Sequence, residues 1–289
     1  ASSIVVMASL MVATAILLGN ADTRTQNFGL YQPLGTEKFY FLPWDYDGAL
    51  GAFEQPGMGY ADTLIEVGVG NWWGVPLHRR FLSDRKNIAD LKAAVMEIRG
   101  KYLTDANVKK LLDSYRPVVT PFIQRQPDNA YLAIDPQGAG TPAQQWDVEF
   151  RRLETVIEKN YQSFLQSLER PMPFWVGLSD DQTGLSWDWP APFHPQGRAL
   201  AYTVQVASVA ADAFGNSATV VKEVPGLTQT SLPLQTLASG VPAGNYLVRV
   251  KASDALGNWT YSFDSYALGE KTVFGAICLQ LPSGRECEQ

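Results

Sequence analysis

Cysteine and histidine are scarce in this chain of 289 residues, which contains two of each. The histidines, His78 and His194, lie far apart, and no cysteine is near either of them in sequence. Zinc sites need several Cys and His ligands at short spacings, so the sequence excludes that class of metal centre. The phosphate-binding loop of P-loop proteins and the G-x-S-x-G element of serine hydrolases are also missing.

Basic residues are few as well. The chain has 23 Lys and Arg against 29 Asp and Glu, which gives a net charge of −6. Nucleic-acid-binding proteins usually carry a basic face, so we expect no nucleic-acid partner. Apolar residues make up 46% and charged residues 18% of the chain. This balance is typical of a folded globular protein and excludes a disordered chain.

Long apolar runs are limited to one, near the N-terminal end. Residues Ile4–Leu18 are almost continuously apolar and contain no Lys or Arg, but the run is shorter than the roughly 20 residues that span a bilayer. It also lacks an initiator Met and the basic segment of a signal peptide. We predict a buried helix that ends at Gly19-Asn20 and no membrane span. We also expect the chain to be cut or processed from something longer.

The hydrophobic period changes once along the chain, at Pro171-Met172-Pro173. Helical spacing predominates before this point, and short runs of alternating apolar and polar residues follow it. The sequence therefore predicts a multidomain α+β protein. Its parts are a mostly helical domain with a short β-hairpin over 1–170, an all-β sandwich over 171–268 and a C-terminal tail over 269–289.

Individual elements follow from the same periodicities. After the first run, helices are predicted at Val75–Phe81, Arg85–Tyr102, Val108–Tyr115, Pro117–Ile123 (after a kink) and Trp146–Leu168. Short strands are predicted at Phe28–Tyr31, Phe39–Leu42, Gly184–Trp189, Tyr202–Val206 and Tyr246–Ala252. The glycine-rich segment Gly51–Gly74 is predicted to be a loop, in which Trp72 and Trp73 either anchor the loop or stack on a ligand.

The two cysteines, Cys278 and Cys287, lie nine residues apart with a Pro-Ser-Gly turn between them. This spacing suits a small disulfide loop, and disulfides favour an exported protein. The alternative is a pair of free thiols in a tail. With the disulfide, the sequence predicts a secreted or cell-surface location.

One stretch, Asn20–Gly51, concentrates the residue types that carry chemistry. Asp22 and Asn27 follow the apolar run, and Asp45 and Asp47 follow the predicted hairpin. Carboxylate and amide oxygens are the ligands of hard cations such as Mg²⁺. Protein kinases use the spacing D-x-x-x-x-N in their catalytic loop and a second Asp, in D-F-G, on the metal. The order of these elements predicts a kinase-like site for phosphoryl transfer.

Each of these residues also has a structural interpretation. Asp22 suits a turn at a helix end, Asn27 suits a loop anchor and Asp47-Gly48 suits a tight turn. A further alternative is a metal-stabilised adhesin in which Asp45 and Asp47 hold calcium for structure alone. The choice of metal and the number of oxygen ligands separate this alternative from the kinase-like site.

Three segments together resemble the C-terminal part of the CotH kinase family, the spore-coat and secreted kinase-like proteins. These segments are Gly19–Asp22, Asn27–Tyr31 and Leu42–Asp47, of which the P-W-D-x-D element is the most specific. The resemblance continues through Pro76–Leu82 and the helices that follow, and covers about 1–170.

The resemblance implies a role for each site residue. Asp22 would be the catalytic residue that orients the acceptor hydroxyl and takes its proton. Asn27, Asp45 and Asp47 would hold Mg²⁺ or Mn²⁺ against the phosphates of ATP, and Trp44 would form a wall of the cofactor site. The implied reaction transfers the γ-phosphoryl group of ATP to Ser or Thr of a coat or extracellular protein.

The family's nucleotide-binding lobe precedes the catalytic loop and contains a basic residue that pairs with phosphates. Residues 1–18 contain no Lys or Arg, so we expect this lobe to come from a longer chain or from another chain. The alternative function is a non-catalytic surface assembly or adhesion component with a degenerate kinase-like fold. The expected partners are accordingly a protein substrate or a structural partner in a coat.

The C-terminal region resembles a fibronectin type III module over about 173–267. The residues that carry this resemblance are Leu185–Trp187, Tyr202–Val206, Ser231–Leu234 and Leu237–Ala252. It implies an immunoglobulin-like sandwich and gives no information on function.

Overall fold

The computed structural model describes residues 3–20, 22–24, 26–51, 68–127, 141–215 and 218–287. The chain divides into two compact units, Ala1–Ser167 and Leu168–Gln289. The first unit combines helices with a two-stranded hairpin, and the second consists mainly of antiparallel strands. The fold class is therefore mixed α+β. Most of the predicted loop over 51–74 lies outside the described residues.

The first helix, α1, spans Ser3–Leu18, as the apolar run predicts. Its end is a Schellman turn, in which Gly19 N–H donates to Ile16 O at 3.0 Å and Asn20 N–H donates to Ala15 O at 2.9 Å. Gly19 has a φ of 66°, a conformation that glycine adopts without the Cβ clash of other residues. The predicted helix end at Gly19-Asn20 is thus confirmed.

Five further helices belong to the first unit as far as the structure describes it: α2 (Val69–Trp73), α3 (Pro76–Leu82), α4 (Arg85–Lys101), α5 (Asp105–Ile123) and α6 (Pro142–Ser167). Side-chain caps begin two of them. Asp84 Oδ1 accepts from Lys86 N at the start of α4, and Thr104 Oγ1 accepts from Asn107 N at the start of α5. Such caps satisfy amide donors that have no partner within the helix.

One local prediction was wrong in this unit. The segment predicted as a loop contains α2, because Trp72 and Trp73 are both buried and Val69 N–H donates to Ser167 Oγ at 3.0 Å. This burial supports the interpretation of the two tryptophans as anchors. Helix α5 includes Pro117 and Pro121 and ends at Ile123, so the segment Pro117–Ile123 continues the preceding helix as expected.

The core of the first unit lies where α1 packs against α4 and α6. A helix that is apolar all round belongs inside a protein, and the described side chains of α1 are mostly buried, including Val12, Ile16 and Leu17. The partner helices contribute buried residues at helical spacing: Ile88, Leu91, Val95, Phe150, Ile157 and Phe164. This packing fixes the C-terminal end of α1, from which the acidic stretch begins.

The hairpin consists of β1 (Phe28–Tyr31) and β2 (Tyr40–Pro43), paired antiparallel with Phe28 opposite Pro43 and Tyr31 opposite Tyr40. The predicted first strand is confirmed, whereas the second begins one residue later than expected. Phe28 lies 5.9 Å from the ring of His78, which in turn lies 4.8 Å from the ring of Trp72. These ring contacts attach the hairpin to α2 and α3, and His78 is buried among them.

The second unit contains two larger antiparallel sheets and a small hairpin. One sheet has the order β13-β12-β8-β5-β6 with β9 paired to β8, and the other has the order β3-β4-β7. The strands are β3 (Trp175–Leu178), β4 (Gly184–Trp189), β5 (Ala201–Ser208), β6 (Val220–Leu227), β7 (Ser231–Pro233), β8 (Gly244–Ser253), β9 (Trp259–Tyr261), β10 (Ser265–Leu268), β11 (Lys271–Phe274), β12 (Ala276–Leu281) and β13 (Arg285–Glu286). A short helix, α7 (Leu234–Ala238), follows β7.

Both sheets contribute to one buried apolar core. Leu185 and Trp187 of β4 pack with Val204 of β5, Val250 of β8 and Leu279 of β12, all fully buried. Strand β12 pairs with β8 along its whole length. The segment 269–289, expected to be a tail, therefore contributes β12 and β13 to this unit's larger sheet. The structure pairs Cys278 with Cys287, and Cys287 N–H donates to Cys278 O.

A buried polar network lies beside this core. The carboxylate of Asp254 accepts from Arg198 at 3.0 Å, from Asn258 Nδ2 at 3.0 Å and from the backbone N–H groups of Leu256 and Asn258. His194 Nε2 lies 3.3 Å from the same carboxylate, while its Nδ1 accepts from Gln196 N–H. Geometry thus assigns the imidazole proton to Nε2, and His194 has a structural role.

None of the helices within the described part of the chain combines the length and the apolar character needed to cross a membrane.

Candidate functional site

The acidic stretch begins directly where α1 ends. Asn20 is the last residue of the Schellman turn, and Asp22 follows in a single 3₁₀ turn, Asp22–Arg24. Thr23 is fully buried, and its hydroxyl donates to Asn20 O at 2.9 Å. The position of Asp22 is therefore set by the end of a packed helix.

Asn27 precedes β1 and joins the start of the hairpin to its end. Its carbonyl oxygen accepts from Trp44 N–H at 3.1 Å, so that Asn27 and Asp45 flank the same end of the two strands. Both residues have a left-handed backbone, with φ of 61° for Asn27 and 54° for Asp45. Asn and Asp tolerate this conformation better than most residues, and backbone strain of this kind concentrates at functional sites.

Three of the predicted site residues share an electrostatic environment. A hydrogen bond with the Asp47 side chain and repulsion by its charge raise the pKa of Asp45 above its ordinary value, and the charge of Asp22 adds to this. Asp45 therefore lies beside Asp47, and the side chain of Asn20 links Asp22 to Asp45 although 23 residues separate the two in sequence. Like charges this close favour the protonated form or a bound cation.

The loop after β2, Trp44–Leu50, carries Asp45 and Asp47 and is called the acidic loop below. It is attached to the helical part of the unit at both of its ends. At the near end, Asn20 Nδ2 donates to Asp45 O at 3.3 Å. At the far end, Leu50 N–H donates to Leu18 O at 2.6 Å, and Arg152 of α6 donates to Leu50 O at 2.7 Å. Arg152 is itself oriented by Glu149, one turn earlier on α6. The loop that carries Asp45 and Asp47 is thus held against α1 and α6.

Sequence reasoning missed the residues that hold the site together. Asn20 was assigned to a helix end and to a family-like segment but given no role in the site, and Arg152 was not singled out. Asn160 of α6 was missed as well; it is buried and donates to Leu17 O at 3.0 Å. The buried amide of Asn20 had one available signal, its position between a helix-ending glycine and the first aspartate. Arg152 and Asn160 act across more than a hundred residues and had none.

The surface around the acidic residues is aromatic. Trp44, next to Asp45, is 71% exposed. Other large apolar side chains exposed on the hairpin and its turn are Leu30, Tyr31, Leu34, Phe39 and Leu42. An exposed ring beside a group of carboxylates can stack on a flat ligand, which is compatible with the role expected for Trp44.

The donor set fits a metal held jointly with a nucleotide. Within the described residues there is no group of three or more His, Cys, Asp or Glu side chains arranged to bind a metal ion. Magnesium, however, is commonly bound by one or two carboxylates together with substrate phosphates. The paired carboxylates of Asp45 and Asp47, with repulsion that a cation would relieve, match that mode. They do not match a metal caged by protein ligands alone.

A protein-family model described as CotH kinase protein matches residues 10–164. This range covers more than half of the 289 residues and includes every predicted catalytic, cofactor and metal residue. The searches of the curated proteins and of the solved structures gave no match to the chain. The chain belongs to the CotH kinase protein family.

Proposed function

We propose, from its membership of the CotH kinase protein family, that the protein transfers the γ-phosphoryl group of ATP to a Ser or Thr hydroxyl of a coat or extracellular protein. A secreted or cell-surface location is part of this proposal. The single observation that carries it is the convergence of Asp22, Asp45 and Asp47 at the end of α1 and of the hairpin. A bound divalent cation would neutralise charge on the transferring phosphate.

The residues of this chain would divide the work between positioning and proton transfer. Asp22 lies at the rigid end of α1, so its carboxylate would orient the acceptor hydroxyl and accept its proton. Asn27 and Asp45 would supply oxygen ligands, and Asp47 a further carboxylate. The exposed ring of Trp44 would cover one side of the bound nucleotide.

The basic lobe that pairs with phosphates would come from another segment or from another chain. Such a lobe would have to approach the exposed hairpin and Trp44, because the opposite side of the acidic loop is attached to α1 and α6. A second protein, the phosphoacceptor, would bind over Asp22. Both partners are part of the proposal.

The test is calorimetric titration of Mn²⁺-ATP into the whole chain, for the wild type and for Asp45→Ala. We expect saturable binding by the wild type and a loss of at least tenfold in affinity for the variant, because a metal ligand is removed. Asp90→Ala is the matched control, since Asp90 is a surface aspartate of α4 paired with Lys86. Absence of binding by the wild type, or equal binding by Asp45→Ala, would contradict the proposal.

A second candidate function is a non-catalytic assembly component. Helix α5 favours it, because Leu111, Tyr115, Val118 and Phe122 recur at helical spacing and are each more than half exposed. Exposed apolar stripes of this kind often mark protein interaction surfaces. The calorimetric titration with Mn²⁺-ATP separates the kinase from the assembly component, since an assembly component requires no metal-dependent binding of ATP.

The second unit is proposed to be a fibronectin type III-like module of the immunoglobulin-like class. Two antiparallel sheets sharing one core support this proposal. In this proposal the module acts as a spacer or presents the first unit at a surface.

A further inference from the structure

We infer that Asn20 is a positioning residue that holds the two aspartate-bearing segments of the site at a fixed separation. The inference rests on the proposed function and adds to it a residue outside the predicted ligand set. Asn20 is 1% exposed, so it cannot contact a substrate directly. Its effect would be exerted through Asp22 and Asp45.

Both ends of the Asn20 side chain are used. Oδ1 accepts from Asp22 N–H at 3.2 Å, and Nδ2 donates to Asp45 O at 3.3 Å. One partner is a donor and the other is an acceptor, so the amide has a single productive orientation. The side chain therefore bridges two segments that are 23 residues apart in sequence.

The backbone of Asn20 is fixed independently of this bridge. Its N–H closes the Schellman turn on Ala15 O, and its carbonyl accepts from the Thr23 hydroxyl at 2.9 Å. The preceding residue, Gly19, lies against Asn160, where an added Cβ would be 2.8 Å from Asn160 Nδ2. With its backbone held on several sides, Asn20 can transmit the position of α1 to both aspartates.

The chemistry of the bridge explains why an asparagine is required. Alanine loses both hydrogen bonds. Aspartate keeps an acceptor for Asp22 N–H but places a carboxylate oxygen against the Asp45 carbonyl, which has then lost its donor. Residues that orient metal ligands commonly contribute tenfold to a hundredfold to metal affinity. Asn20 is expected to act in that range.

The experiment compares the wild type, Asn20→Ala, Asn20→Asp and Asn87→Ala as whole chains. Asn87 is the matched control, because its side chain also bonds a backbone carbonyl, Phe81 O at 2.9 Å, at a part-buried position of α4. The first readout is the affinity for Mn²⁺ in the presence of ATP, measured by electron paramagnetic resonance of the free ion. The second is the hydrogen exchange rate of the Asp22 amide.

We expect both Asn20 variants to lose about tenfold to a hundredfold in Mn²⁺ affinity, while Asn87→Ala binds Mn²⁺ like the wild type. Exchange at Asp22 should accelerate in Asn20→Ala and stay slow in Asn20→Asp, which keeps the acceptor. Asn20→Asp is nearly isosteric and provides the test if the alanine variant does not fold.

The outcomes distinguish the inference from the proposed function. A wild type that does not bind Mn²⁺ with ATP overturns both. A wild type that binds, with both Asn20 variants binding equally well, overturns only the positioning role. An equal loss of affinity in Asn87→Ala also overturns it, because the effect would then reflect general destabilisation.

Discussion

Asp45 in the first unit and Asp254 in the second are surrounded in opposite ways. Asp254 is buried, yet the donors around it hold its pKa below the ordinary value despite the cost of burial. Asp45 is exposed, and its neighbours are the carboxylates of Asp47 and Asp22, which raise its pKa. A carboxylate with every lone pair satisfied stabilises a fold. A carboxylate placed beside like charges costs stability and marks a place where a cation would bind.

The largest effect is expected when the satisfied carboxylate is removed. Asp254→Ala leaves Arg198, His194 and Asn258 without their shared acceptor inside the protein. Arg198 is 26% exposed and keeps its contact with Glu169, so the loss comes mainly from buried donors left without an acceptor, which typically cost about 1–3 kcal/mol each. The free energy of unfolding of the second unit is measured by urea denaturation, monitored through hydrogen exchange of the β5 and β8 amides.

Asp254→Asn provides the control for that comparison. It keeps an oxygen that can accept from the amides of Leu256 and Asn258 but removes the charge that pairs with Arg198. It should lose less stability than Asp254→Ala. Equal losses would show that the charge pair, rather than the loop hydrogen bonds, supplies the whole effect.

Acid should destabilise the second unit in two stages. Burial lowers the pKa of His194, against the opposing effect of the hydrogen bond that its Nε2–H donates to Asp254. The neutral imidazole is therefore favoured in the fold, and its contribution is full above about pH 6.5 and is lost as the pH falls. The pKa of Asp254 is also lowered, so its contribution is full above about pH 4 and is lost below that value.

The acid stages are measured as the urea midpoint of the second unit between pH 7.5 and pH 3. Arg198, Glu169 and Asn258 complete the polar surroundings of the pair. His194→Gln should abolish the first stage and leave the second, because glutamine does not titrate. A first stage that persists in this variant would assign it to another group.

Removing a carboxylate from the acidic site should raise the stability of the first unit, whereas removing Asp254 lowers that of the second. Asp45→Asn or Asp47→Asn removes a repelling charge, so the melting temperature of the first unit should rise slightly at neutral pH, by less than about 4 °C. Mg²⁺ with ATP should stabilise the wild type and fail to stabilise either variant. Differential scanning fluorimetry with and without Mg²⁺-ATP is the measurement, and Asp90→Asn is the control. A lower melting temperature in both site variants would show that repulsion among these carboxylates does not reduce the stability of the first unit.

The smallest difference is expected between two glycine variants, one of them at the helix end that supports the site. Gly19 and Gly35 both have a positive φ, of 66° and 77°, which alanine adopts only with strain. An added Cβ at Gly19 would also press on Asn160, whereas Gly35 has open space around it. The backbone penalty is about 1–2 kcal/mol in both cases. Denaturation curves should therefore show a greater loss for Gly19→Ala, and the difference measures the contact with Asn160. Equal losses of stability would show that the contact with Asn160 contributes nothing measurable.

Much of the first unit could be predicted from sequence, because its signals are local. An all-apolar run followed by Gly-Asn predicts α1 and its end, and two short runs rich in aromatic residues on either side of a Pro-Leu-Gly turn predict the hairpin. The hypothesis that four oxygen-bearing residues share a site came from their order along the chain. The structure places the carboxylate of Asp45 beside that of Asp47 and within the electrostatic reach of Asp22, and the catalytic and metal-binding roles of these residues remain predictions.

The missed features depend on contacts between distant segments. Glycine-rich composition predicted a loop over 51–74, whereas burial of Trp72 and Trp73 stabilises a short helix there. Strand β12 was assigned to a tail, since its pairing with β8 is invisible until the sheet forms. The bridge by Asn20 and the bond from Arg152 to Leu50 likewise exist only in the folded chain.

The position of Asn20 at the end of α1 has a consequence for how this sequence can change in length. Each residue of an α-helix turns the chain by about 100°. An insertion or deletion within the packed part of α1 would therefore rotate Asn20 away from Asp45 while α4 and α6 stayed in place. The turn between β1 and β2, where Leu34 is fully exposed and Gly35 has open space around it, could gain or lose residues freely. Indels among relatives should thus be absent from the helix and concentrated in the hairpin turn.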